Sequence, residues 1–242
     1  SISCLPWEAL NLQRPLQRVE SGSTATSHAL SIRARKPRIL LLVGSEQGLT
    51  LDLEIAKLQE QQHRGRIHLA LLRGSEFTPA ALRTALAIRD GWDGVLFLGH
   101  SSQGPSGGVL HLGDGSQVDG QALESAWATA ARQGLRLLLF NSCSGLQLAH
   151  HAVRAGIAWA VCFLEPVPAP AAALAFAHVL DALESGSDLI AAIDNTRRQL
   201  AATPAMEGCD LLLAAVAAPT AAPFHLPLQR RRQMLLRLAQ SN

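Results

Sequence analysis

Two side chains able to act as a nucleophile and its base stand at the ends of two short apolar runs. Val95-Leu96-Phe97-Leu98-Gly99 leads into His100, and Leu137-Leu138-Leu139-Phe140-Asn141-Ser142 leads into Cys143, with Ser144-Gly145 behind it. A thiol with a reference pKa of about 8.5 is only partly ionised at neutral pH, and the thiolate is the attacking species. An imidazole within reach can take the thiol proton and later protonate a leaving amine. Hydrolysis of an acyl bond by a cysteine is the chemistry this pair supports. A cysteine is more often a small buried hydrophobe than a nucleophile. Cys143, however, stands in a polar turn, where packing alone explains it less well.

Those side chains need elements to position them. Short apolar runs bounded by turn residues read as buried strands, and a helical pattern between two such runs makes them parallel neighbours. The runs expected as strands are 38–43, 67–72, 92–98, 136–140, 158–164 and 211–217. Helices are expected over 51–62, 79–88, 121–133, 146–155, 171–183 and 189–200, with Thr78 capping the second and Pro79 at its first position. Residues 109–112 and 117–118 flank Gly113-Asp114-Gly115-Ser116 as a small hairpin. This alternation implies an α/β fold with a mostly parallel sheet of about six strands and helices on both faces. His100 and Cys143 then share the carboxyl edge of the sheet, the edge where open parallel sheets bind ligands. The helix after Cys143 turns its positive N-terminus toward the sulfur, and the backbone N–H groups of Ser101 and Cys143 are the expected oxyanion donors. His150 and His151 lie along that helix, better placed to face solvent or sheet than to reach the sulfur. The other histidines read as surface or packing residues.

Composition narrows the class. The chain has 242 residues, 48% of them apolar and 17% charged, with a formal charge of +2. That is long enough for a full core, and the low charge fits a surface that meets other protein. A charge so near zero gives no reason to expect nucleic acid or membrane as a direct partner. The basic clusters at 33–38 and 230–237 read as solvated charge. Cys4, Cys143, Cys162 and Cys209 show no metal-ligand spacing, so no metal or cofactor is expected, and a reduced, cytoplasmic setting is the simplest reading. Residues 1–36 read as an N-terminal apron and loop and 37–242 as the catalytic domain. Because the sequence opens on Ser1, the expectation is a segment of a longer polypeptide.

The ordered motifs resemble the CHAT domain, a caspase-like family of bacterial and archaeal multidomain proteins related to caspases, metacaspases and separase. Trp92-Asp93-Gly94 through Gly99-His100 is similar to the family's histidine strand, and Leu139-Phe140-Asn141-Ser142-Cys143-Ser144-Gly145 to its cysteine strand end. Leu5-Pro6-Trp7-Glu8, Gly108 through Gly115, Ala155-Gly156-Ile157 and Gly186 through Ile193 resemble further family segments, so the likeness spans nearly the whole chain. Two departures stand out: Ser101 where the family often has glycine, and no tryptophan around 211–216. The resemblance implies a metal-free cysteine endopeptidase with His100 as base and Cys143 as nucleophile, a protein substrate, and control by a partner or attached sensor region. It also implies that Asn141, two residues before the nucleophile, lines the first specificity pocket. Glu46 and Glu165 follow the first and fifth strands, and one of them is expected to meet a basic side chain of the substrate. Two other readings predict different behaviour: a catalytically silent binding module with an ordinary thiol at Cys143, or a hydrolase of small amides or esters.

Overall fold

The structure is a computed structural model and describes residues 36–226 except 106 and 144, together with the backbone of residues 18 and 19. Apart from those two and Lys36, the expected apron over 1–36 lies outside the described residues, as does the basic stretch 230–237. In chain order the strands are β1 (Arg18–Val19), β2 (Arg38–Val43), β3 (His68–Arg73), β4 (Gly94–Leu98), β5 (Ser101–Gly104), β6 (Gly107–His111), β7 (Gln117–Asp119), β8 (Leu137–Asn141), β9 (Trp159–Phe163) and β10 (Leu213–Ala217). The helices are α1 (Asp52–His63), α2 (Pro79–Leu86), α3 (Gly120–Arg132), α4 (Leu146–Arg154), α5 (Ala169–Ser185) and α6 (Leu189–Ala201).

The main sheet has the order β1-β10-β9-β8-β4-β2-β3. The strands from β9 to β3 run parallel, and β10 is antiparallel to β9. Apolar side chains alternate between two cores. Leu41, Leu98 and Leu139 pack with α1, α5 and α6, while Leu42, Phe97 and Phe140 pack with α2, α3 and α4. Leu41, Phe97 and Leu98 are no more than 1% exposed. Burial of such a side chain contributes about 1.5–3 kcal/mol, which holds the strand ends rigid. Local signals agree: Thr78 accepts from the Ala81 N–H at 3.0 Å and Asp119 from the Ala122 N–H at 2.7 Å, each fixing a helix start.

One register matters for the site. In the β4–β8 ladder Gly94 lies opposite Leu137 and Leu98 opposite Asn141. His100 and Cys143 each follow two residues beyond that last pair, so the ladder sets them opposite one another at the carboxyl edge. The expected hairpin is a three-stranded sheet, β5-β6-β7. Its first strand, Ser101-Ser102-Gln103-Gly104, carries no apolar side chain and gave no strand signal; β6 supplies its partner. Among the described residues no helix is long and apolar enough to cross a membrane.

Candidate active site

Close backbone packing sets His100, the expected base. Gly99 has φ 140°, and a Cβ there would sit 3.1 Å from Gly44 Cα and 3.2 Å from the Ser45 carbonyl oxygen. Only glycine lets β4 run this close beneath the loop after β2. That loop is tied down at two points: Gly44 N–H donates to Leu98 O at 2.8 Å, and Ser45 N–H donates to His111 O at 2.9 Å. It thereby brings the Gln47 carbonyl oxygen to 2.7 Å from His100 Nε2. A carbonyl only accepts, so Nε2 holds the proton and Nδ1 keeps its lone pair. Among the described residues no hydrogen bond joins the imidazole to the Cys143 thiol. His100 and Cys143 are both half-buried.

The turn that carries Cys143, the expected nucleophile, is equally constrained. Gly145 N–H donates to Phe163 O at 3.0 Å, and a Cβ on Gly145 would lie 2.7 Å from Cys162 Cβ. The start of α4 is thereby drawn against β9, just behind the cysteine, where the helix N-terminus favours negative charge. Ser142 is buried, and its Oγ lies 2.8 Å from Ser101 Oγ, which also donates to the Cys143 carbonyl. His111 N–H donates to His100 O, and the residues of β5 pair with β6 from Ser101 opposite Leu110 onward. Antiparallel ladders alternate, so Ser101 occupies a non-hydrogen-bonded position and its N–H points away from β6.

The remaining expected residues occupy three different settings. Asn141 ends β8, buried, on the wall of a cavity of about 10 Å³ shared with Phe163, Ala175 and Phe176. Glu46 is bound by the chain's own Arg73 through two bonds of 2.8 and 2.6 Å, and this contact holds its carboxyl below the usual range. Glu165 is half-buried, two residues past β9, and carries no ion pair among the described residues. His151 is buried rather than solvent-facing: its Nδ1 lies 2.6 Å from Glu124 Oε1, and a Cβ on Gly107 or Gly120 would press on its ring.

Sequence reading missed Gln47, Ser142 and His111. Gln47 acts through its backbone, so only the flanking Gly44 and Gly48 hinted at a special loop. His111 ends β6 with its Nε2 2.8 Å from Ser102 Oγ, and burial together with the adjacent His100 holds it below the usual imidazole range. Its place beside His100 comes from the β5–β6 turn, which sequence did not reveal. Among the described residues no three His, Cys, Asp or Glu side chains gather as metal ligands.

The sequence profile of the CHAT domain matches residues 45–229. A sequence comparison with curated proteins gives no match. In fold, the chain is similar to one solved in the complex of Porphyromonas gingivalis RgpB pro- and mature domains, at 12% identity and TM-score 0.51, covering 79% of this chain and 49% of that one. It is also similar to a chain of the Saccharomyces cerevisiae separase–securin complex, at 10% identity and TM-scores of 0.50 and 0.53 in two structures. Those matches cover 90% and 89% of this chain and 14% of that one. The chain thus spans about half of the first protein and a seventh of the second. What is shared is a caspase-like fold: a mostly parallel sheet, helices around it and a small antiparallel sheet.

Proposed function

On the premise that the chain belongs to the CHAT domain family, with its caspase-like peptidase fold, we propose that it is a cysteine endopeptidase using a Cys143/His100 dyad. The observation that carries this reading is the β4–β8 register together with the Gln47 carbonyl on His100 Nε2. That bond leaves Nδ1 as the base and turns the imidazole with the neutral nitrogen available. The Sγ proton passes to Nδ1, and the thiolate attacks the scissile carbonyl carbon. The carbonyl π pair moves onto oxygen, where the N–H groups of Ser101 and Cys143 receive it. Collapse breaks the C–N bond, and the amine leaves with the proton from His100. Water, deprotonated by His100, then hydrolyses the thioester and restores the thiol. A substrate carbonyl between imidazole and sulfur completes contacts that the free enzyme leaves open.

We assign Asn141, buried at the end of β8, to the first specificity pocket, as the family resemblance implies. The charge of Glu46 is already met by Arg73, which leaves Glu165 as the acid open to a basic side chain of the substrate. We assign the low-charge surface to a partner or attached sensor region that regulates cleavage; the separase and RgpB chains were likewise solved in complexes, with securin and with pro-domains. The test is incubation of candidate protein substrates with the parent and with Cys143→Ala, followed by identification of the new termini. Fragments are expected only with the parent. Equal fragmentation by both proteins would contradict the reading. Cleavage after Arg or Lys is expected to fall with Glu165→Gln and to persist with Glu46→Gln.

A further inference from the structure

The Ser101 hydroxyl bridges the loop that carries the base and the loop that carries the nucleophile. It donates to the Cys143 carbonyl oxygen, and its Oγ lies 2.8 Å from Ser142 Oγ. Ser101 and Ser142 are 8% and 6% exposed, so water competes little for these bonds. A hydroxyl owns one proton. With that proton on the carbonyl, Ser101 Oγ accepts from the Ser142 hydroxyl. The two bonds anchor the groups on either side of the Ser142–Cys143 peptide, the Ser142 side chain before it and the Cys143 carbonyl after it, and that peptide carries the Cys143 N–H. The backbone of Ser101 supplies the other N–H, turned away from β6 by the ladder's alternation.

We propose that the Ser101 side chain is a positioning residue that sets the spacing between the two oxyanion donors. The inference rests on the cysteine-peptidase reading and goes beyond it, since a glycine at this position would keep the backbone donor and lose the latch. The hydroxyl touches backbone and Ser142, with no bond to the imidazole or to the sulfur. Its effect therefore falls on carbonyl attack and spares thiol ionisation.

Two reagents separate those effects. With p-nitrophenyl acetate, Cys143 Sγ bonds to the acetyl carbon, an oxyanion forms and collapses, and p-nitrophenolate leaves as the thiol proton passes to His100. With iodoacetamide, Cys143 Sγ attacks the methylene carbon directly: the S–C bond forms as the C–I bond breaks, iodide leaves, the thiol proton passes to His100, and no oxyanion forms. Ser101→Ala is expected to slow acetylation about 10-fold and to leave alkylation within about 2-fold. Ser101→Thr, which keeps the hydroxyl, restores acetylation. Ser142→Ala removes one of the two bonds and slows acetylation about 3-fold, again with alkylation unchanged. Equal loss in both reactions, or loss in neither, would overturn the proposal. Should Ser101→Ala fail to fold, Ser142→Ala carries the same comparison. A parent whose alkylation does not depend on His100 removes the dyad, and the latch falls with it.

Discussion

His100 and His151 are two imidazoles with close partners, and the partners differ in kind. His151 has a carboxylate, Glu124, at 2.6 Å, itself held by Arg154 at 3.1 Å. Among the described residues the His100 ring is bonded to the Gln47 carbonyl at 2.7 Å. A histidine–carboxylate pair is the arrangement more often associated with catalysis. Yet His151 is sealed beneath the hairpin, where a Cβ on Gly107 would come within 2.4 Å of Nε2 and a Cβ on Gly120 within 2.8 Å of Cδ2. His100 is half-buried at the sheet edge, opposite Cys143 in register. On the proposed peptidase reading, access and register favour His100 as the histidine that acts on substrate, whatever the strength of its partner. The carboxylate partner serves the buried histidine by giving its ring nitrogen a bond in a site closed to water.

Three experiments sharpen that contrast. The largest effect is expected on turnover: His100→Ala should lower cleavage about 10²–10⁴-fold, and His151→Ala should leave turnover per folded molecule nearly unchanged. Measuring kcat on both variants, with Cys143→Ala as the blank, checks this. Stability should show the reverse order. His151→Ala loses a buried, bonded ring and should cost about 2 kcal/mol, a fall in Tm of roughly 5 °C, against little change for His100→Ala.

The smallest effects are expected in the pH dependence of unfolding. The hydrogen bond from His151 holds the Glu124 carboxyl below the usual glutamate value of 4.5. A lowered carboxyl contributes stability above 4.5 that is lost as pH falls through the folded value, so His151→Ala should flatten that acid limb. Glu54, buried in the first turn of α1 with Oε2 unpartnered, is raised above 4.5 by desolvation. Its sign is opposite: stability declines as pH rises above 4.5, and Glu54→Gln should remove that decline and raise Tm at neutral pH by about 1–2 °C. Denaturant titrations across the acid range test both slopes.

Much of the fold was legible because buried parallel strands write continuous apolar runs. Arg38–Val43 was read residue for residue, and β4, β8 and β9 within two residues at each end. β5 escaped because a Ser-Ser-Gln-Gly strand takes its stability from the β6 ladder and a buried hydroxyl, neither of which leaves an apolar signature. The candidate site divides the same way. His100 and Cys143 announce themselves by side-chain type at strand ends, whereas Gln47 contributes a carbonyl that any residue could supply. The Glu46–Arg73 pair joins residues 27 apart in sequence, on adjacent strand ends, and charge spacing along the chain does not encode it. The Ser101 hydroxyl was read only as a substitution at a glycine position; its two buried bonds became visible with the turn geometry.

The proposed dyad makes His100, oriented by the Gln47 carbonyl, the base to Cys143. The most direct measurement is the rate of Cys143 alkylation by iodoacetamide against pH, in the parent and in His100→Ala. Alkylation of the parent at neutral pH is expected to be at least about 10-fold faster than that of His100→Ala, whose rate falls to that of an ordinary thiol. Equal rates in the two proteins at every pH would remove the dyad.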